Sequence, residues 1–211
     1  MGKIKNYIGV LYLLFCFTQA CAQQFVSASK PEKVLEQLKK QNAATNSLQA
    51  DFQEEKHLSY LKNPQLTSGK FYFQKNDKMR WEQQVPFSYL MIINGEKIII
   101  RENGITKDVS ASARMAGKMR NMLLELIRGD FQTSSAFTVN VFENPESYKI
   151  NLIPKDKRLK NYYQEIHMVF SRKSLQLKEL TFLEKKGNRT VTRFYNERLN
   201  QKINSDLFSS L

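Results

Sequence analysis
The groups in this chain that first invite a catalytic reading are the imidazoles His57 and His167, the thiols Cys16 and Cys21, and the clustered carboxylates Asp51, Glu54 and Glu55. Nucleophilic or metal-assisted chemistry needs such groups in fixed mutual positions. Neither a Gly-x-Ser-x-Gly elbow nor a His-Glu-x-x-His pair is present. Asp51, Glu54 and Glu55 are more simply a solvated surface than an acid and base pair. His167 alternates with Ile166 and Met168, which makes it an outward-facing or hydrogen-bonded histidine before it is a metal ligand. Asn188-Arg189-Thr190 matches a glycosylation sequon by chance in a turn. The expectation is a protein that is not an enzyme, with no metal and no cofactor.

A different chemistry, that of adaptable apolar contact, is better represented. Met115, Met119, Met122, Leu123, Leu126 and Ile127 recur at helical spacing between about 112 and 127, and Gly129 stops the run. Methionine is unbranched and polarizable, so a face rich in it repacks around guests of varied shape. An ordinary core-facing helix reads the same way, and both readings stand.

The N-terminus decides which residues belong to the working chain. Lys3 and Lys5 precede an apolar run from Ile8 to Phe17 that ends in Ala20-Cys21-Ala22, the order of a secretory signal and too short to span a bilayer. Residues 1–22 are therefore expected to be a signal peptide and 23–211 a single domain. Cleavage removes both cysteines and lowers the formal net charge from +13 to +11. A rival reading makes Cys21 a lipidated anchor, but Thr18 and Gln19 fit poorly where such signals place an aliphatic and a small residue. Hydrophobic residues at 41% supply a substantial core. The basic balance favours anionic partners, with a solvated basic surface that has no dedicated partner as the alternative, and export argues against nucleic acid.

The elements follow from period. Ser29-Lys30-Pro31-Glu32 resembles a capping box, and Val34, Leu35 and Leu38 continue an amphipathic helix over about 30–46. The period then falls to two through Ala50, Phe52, Leu58 and Tyr60, where Glu54 and Lys56 interrupt the apolar face and suggest a bulge or a wet edge. Phe71 and Phe73 share one face of a strand that turns at Asn76-Asp77 into Met79-Arg80-Trp81-Glu82. Asn94-Gly95 reads as a type I′ hairpin turn between Tyr89–Ile93 and Ile98–Arg101, strands apolar on both faces. From Phe137 to Tyr195 alternation predicts further strands, with a basic loop at Lys155–Lys160. Nine or ten strands in meander order, interrupted by one helical insertion, make a large curved sheet that must close or be plugged, and the insertion is the natural plug.

The block Gly69-Lys70-Phe71-Tyr72-Phe73-Gln74-Lys75-Asn76-Asp77-Lys78-Met79-Arg80-Trp81-Glu82, with Pro86 after it, resembles the signature of the LolA family of lipoprotein carriers. The Asn94-Gly95-Glu96-Lys97 turn and the ending Ser205-Asp206-Leu207-Phe208 also resemble it, so the similarity spans most of residues 31–208. The resemblance implies an α+β fold, an unclosed antiparallel β-barrel with an N-terminal helix and a helical lid over a hydrophobic cavity. It further implies a monomeric periplasmic carrier taking acylated lipoproteins from an inner-membrane release complex to an outer-membrane acceptor. Phe71, Phe73, Met79, Trp81, Met91, Ile93, Met119, Met122, Met168 and Phe170 are the candidate cavity-lining residues, with core packing as the alternative for each. Lys75 stands where many relatives have an arginine that latches the lid, and lysine keeps the charge without the planar fork. Ile98-Ile99-Ile100 stands where the family often has aromatics, which leaves room for another lipid cargo, a glycolipid or pigment lipid. A module that senses lipidated proteins without moving them is the remaining alternative.

Overall fold
A computed structural model describes residues 24–108, 121–122, 124–129 and 135–209. The proposed signal peptide, Met115 and Met119 lie outside the described residues.

Twelve antiparallel strands form one sheet in the order β1-β8-β9-β10-β11-β12-β2-β3-β4-β5-β6-β7. Two meanders build it. The first is β2 (Ser47–His57), β3 (Gln65–Gln74), β4 (Lys78–Val85), β5 (Tyr89–Asn94), β6 (Lys97–Glu102) and β7 (Ile105–Asp108). The second is β8 (Phe137–Glu143), β9 (Ser147–Pro154), β10 (Tyr163–Ser171), β11 (Leu177–Glu184) and β12 (Arg189–Leu199), with β1 (Val26–Ser27) at its edge. The pairing of β12 with β2 joins them. β1 and β7 do not pair with each other, so the sheet curls without closing.

Helix α1 (Pro31–Ala44) opens with proline in its first turn, where the missing N–H costs nothing. Ser29 is not its cap. Lys30 precedes the helix without a side-chain cap bond, while the Ser29 N–H and hydroxyl both donate to Glu143 Oε1, at 2.9 and 3.1 Å. A carboxylate from β8 thus outcompetes the local capping box. Val34 and Leu38 turn inward onto a core with Phe137, Ile150, Leu152 and Ile166. Residues 121–122 and 124–128 are helical, ending at Gly129 with φ of 74°. Met122 and Leu126 join that same core, and Ile127 packs on a second cluster of Phe52, Phe71, Phe73, Met79 and Ile93. The basic loop after β9 contains a short helix, α2 (Lys157–Tyr162).

One of the two turn expectations changes. Asn76 and Asp77 have φ of 69° and 62°, the double positive φ of a type I′ turn. The β5–β6 hairpin instead pairs Asn94 with Lys97, so Gly95 and Glu96 are its central residues and Gly95 alone has positive φ, at 59°. That is the type II′ pattern, in which glycine holds the first central position. The interruption at Glu54 and Lys56 is neither a bulge nor an edge, because β2 is paired without a shift on both sides there.

Gly69 is required by close approach. A Cβ built on it would stand 1.9 Å from the Glu82 carbonyl oxygen, beside the register shift between Ser68 and Gly69. Phe52 lies opposite this glycine and Trp81 opposite Phe71. With no side chain at 69, the rings of Phe52 and Trp81 reach each other across β3 at 4.4 Å between centroids. Gly69→Ala is expected to cost more than about 2 kcal/mol, because backbone rather than a rotatable side chain must move. Thermal unfolding followed by the fluorescence of Trp81 measures it, and an unchanged melting temperature contradicts the packing described.

Candidate functional site
The concave face of the sheet follows from alternation. Across β12, β2, β3 and β4 the inward positions are Phe194 opposite Phe52, Ala50 opposite Phe71 and Phe71 opposite Trp81, then Leu48 opposite Phe73 and Phe73 opposite Met79. Among the described residues, nothing fills all of the space before these side chains. A cavity of about 330 Å³ remains, enclosed by the sheet, the C-terminal turn of α1 and residues 126–128.

The sequence candidates fall in three places. Phe71, Phe73, Met79, Trp81, Met168 and Phe170 line the cavity, and Lys75 stands at its edge. Met91 and Ile93 pack with the second cluster beside it, and Met122 lies in the larger core. Met119 is outside the described residues. Sequence reasoning missed Ala50, Leu180 and Phe194, which also line the cavity. Alternation from Phe52 marked Ala50, but a small residue carries no signal of a hollow. Phe194 comes from a strand far along the chain and meets Phe71 and Trp81 edge-on at 5.8 and 6.2 Å. With Phe52 these rings make an aromatic floor.

The mouth is polar. Lys39, Asn42, Asn76, Arg128 and Gln176 border it with Lys75. Lys75 Nζ donates to the Ala43 carbonyl at 2.6 Å, and Asn200 Nδ2 donates to the Ala44 carbonyl at 3.2 Å. Helix α1 has no basic residue in its own last turn, so these donors satisfy terminal carbonyls that its sequence leaves open. Arg128 forms an ion pair with Asp77, tying the end of the helical residues to the β3–β4 turn. Asn42 fills the space a Cβ on Gly129 would need, 2.3 Å from Nδ2.

Beyond the floor the face changes character. Glu54 lies between Thr192 and Thr67 on the neighbouring strands. The Thr192 hydroxyl donates to Glu54 Oε2 at 2.9 Å, while Thr67 Oγ1 is buried without a hydrogen-bond partner in the structure. Burial holds the Glu54 carboxyl above the ordinary carboxylate range, against the opposing pull of Thr192 and Lys56. His167 bonds Glu165 at 2.6 Å, and among the described residues no cluster of His, Cys, Asp or Glu could hold a metal.

Residues 43–210 match the family model for the outer membrane lipoprotein carrier protein LolA. An outer-membrane lipoprotein carrier protein of Coxiella burnetii (strain RSA 493 / Nine Mile phase I) is 23% identical over 210 residues, covering 99% of this chain and 94% of that protein. Among solved structures, a LolA superfamily protein from Nitrosomonas europaea aligns with a TM-score of 0.46 at 12% identity, covering 87% of this chain and 97% of that one. An uncharacterized conserved protein from Thermus thermophilus aligns with a TM-score of 0.49 at 9% identity, covering 83% of this chain and 91% of that one.

The raised pKa of Glu54 fixes a sign. The unfolded chain loses this proton near 4.5 and the folded chain later, so Glu54 costs stability progressively as pH rises between those values and fully above them. Glu54→Gln removes that cost, keeps an acceptor for Thr192 and offers a donor to Thr67. The variant is expected to be about 1 kcal/mol more stable at neutral pH, or about 3 °C in Tm. The gain should vanish in acid, and calorimetry across the pH range that finds no such convergence rejects the assignment.

Proposed function
Since the chain belongs to the family of LolA outer-membrane lipoprotein carriers, we propose that it works in the periplasm as a binding protein that shelters acyl chains of lipoproteins in its concave hollow and carries them toward the outer membrane. The observation that carries this reading is the unfilled apolar space in front of Phe71, Trp81 and Met168. Each buried methylene contributes about 0.8 kcal/mol, so a chain of about fifteen resists transfer to water by roughly 12 kcal/mol gross. Such a lipid does not cross an aqueous compartment unaided. A carrier replaces most of that burial and still lets the chain go.

The helical residues before Gly129 act as a lid in this reading, with the pair of Arg128 with Asp77 as its fastening, while Lys75, expected as the latch, bonds instead to the Ala43 carbonyl of α1. Arg128 and Asp77 are 41% and 36% exposed, so the pair contributes less than about 1 kcal/mol. Met122 and Leu126 are 2% and 3% exposed, and each holds by roughly 1.5 to 3 kcal/mol of apolar burial. Lid opening is therefore set chiefly by apolar contact, which cargo itself can replace, and only slightly by the charged fastening. Release complex and acceptor are partners implied by the family and by nothing in the site's geometry.

Purification of the mature chain from its native envelope should bring down acylated lipoprotein, identified by mass spectrometry of the copurifying lipid. Ala50→Leu, which grows into the hollow from a paired strand, should keep the fold and lower that yield about tenfold, a loss of about 1.4 kcal/mol. Photocrosslinkers at Trp81 and Leu126, which both line the hollow, should capture the same acylated species. Recovery of a glycolipid or pigment lipid instead redirects the cargo, while an empty protein whose crosslinkers capture nothing removes the carrier reading.

A further inference from the structure
The end of the sheet opposite the cavity mouth carries a surface of different chemistry. Strands β2, β4, β6, β9 and β11 all run toward it, so antiparallel order gathers there the loops 58–64, 86–88 and 103–104, the segment 155–162 and the hairpin tip 185–188. Tyr60, Leu61, Leu66, Val85, Phe87 and Ile105 stand in water in these loops and at the strand ends beside them. Tyr60 is 76% and Phe87 70% exposed. Tyr162, just before β10, is exposed at this same end, and among the described residues Val26 and Tyr195 are the remaining large apolar side chains left exposed. The concentration at one end is therefore not a general property of the surface.

Cations are interleaved with these tips. Lys62 follows Leu61 and is exposed. The Ser59 N–H donates to Asn188 Oδ1 at 2.9 Å, which sets the β2–β3 loop against the hairpin that carries exposed Lys185, Lys186 and Arg189. The carboxylates at this end are fewer. Glu55 is engaged by Arg193 at 2.6 Å and by His57 at 3.3 Å, leaving Glu102, Asp156 and Glu184 nearest the loops.

A protein partner usually meets one continuous apolar centre with charge at its rim. Here the apolar side chains sit on separate loop tips and the lysines lie between them. That arrangement suits a surface soft enough to admit each tip singly and negative enough to hold the lysines, which is the boundary of an anionic bilayer. The formal charge, +13 for the whole chain and +11 without residues 1–22, adds a long-range attraction of the same sign. From this charge complementarity and the clustering of exposed tips, we infer that this end docks on an anionic phospholipid surface, reversibly and without spanning it. The surface is distinct from the hollow, and its docking leaves the mouth at the other end unobstructed. The inference does not depend on what the hollow binds.

Co-sedimentation of the mature chain with phosphatidylcholine vesicles, with and without phosphatidylglycerol, tests it. Binding should be at least about tenfold stronger to the phosphatidylglycerol vesicles and should fall as salt rises. Leu61→Ser with Phe87→Ser should weaken it about tenfold, as should Lys185→Glu with Lys186→Glu, while Lys173→Glu at the mouth end changes little. All these side chains are exposed, so circular dichroism should show every variant folded. Ala50→Leu separates the two readings: it impairs cargo capture but leaves vesicle binding unchanged, whereas a chain that sediments only by drawing lipid into its hollow loses both. Failure to sediment with phosphatidylglycerol vesicles, equal binding to both vesicle types, or indifference to the loop substitutions overturns the inference. Failure to sediment in a chain that is instead retained by an acidic protein surface assigns the patch to a protein partner.

Discussion
A sheet that curls without closing must cover its concave face with something other than itself, and this constraint organises the rest of the molecule. A closed barrel satisfies its inward side chains with one another. Here the two meanders meet only at β12 and β2, and their other edges, β1 and β7, stay apart. Helix α1 covers one part through Val34 and Leu38, and the residues before Gly129 cover another through Met122 and Leu126. The cover is incomplete where Ala50 replaces a large side chain between the aromatic rows, and that is where the hollow remains.

The strength of the cover follows from what fastens it. Lys75 meets the end of α1 as a single ammonium on one carbonyl, so it supports a helix terminus by charge as well as by hydrogen bonding. An arginine at that point would place a planar fork among several carbonyls, whereas a lysine on a flexible stem gives one point contact with freedom to turn. Lys75 bonds to α1 and Arg128 to the β3–β4 turn, so two separate contacts border the mouth.

Much of the fold was legible because its causes are local. Alternation through Phe71 and Phe73 marks β3, the helical spacing of Val34 and Leu38 marks α1, and Gly129 ends its helix through positive φ as glycine allows. Local pattern misleads where a distant group competes with it. Ser29 follows Glu143 rather than its helix, and Glu54 sits within a fully paired strand because Thr192, 138 residues away, supplies its donor. The signature block was legible as a family resemblance, but the reason for its glycine was not: that depends on the Glu82 carbonyl and on two rings meeting over β3. Of the site, the aromatic and methionine positions could be read from pattern. The pairing of Arg128 with Asp77 could not, since nothing in a spacing of that length specifies contact.

The row of Thr192, Glu54 and Thr67 explains why the hollow has a floor where it does. In the proposed carrier reading, an apolar guest advancing along the concave face from Leu48 would meet Ala50 first, then the rings of Phe52, Trp81 and Phe194, and past them a carboxyl group with an unpaired hydroxyl. Extending the guest beyond the rings would cover polar groups with hydrocarbon and leave Thr67 without any route to a partner, a cost that offsets the methylenes gained. The rings are the last surface along this path that gains from contact with hydrocarbon. A sheet with apolar residues at all three positions would offer a deeper channel with no preferred stopping point, and its guest would be harder to withdraw. Depth is thus limited by chemistry rather than by sterics alone, and the same aromatic layer that ends the hollow isolates it from the basic loops at the far end.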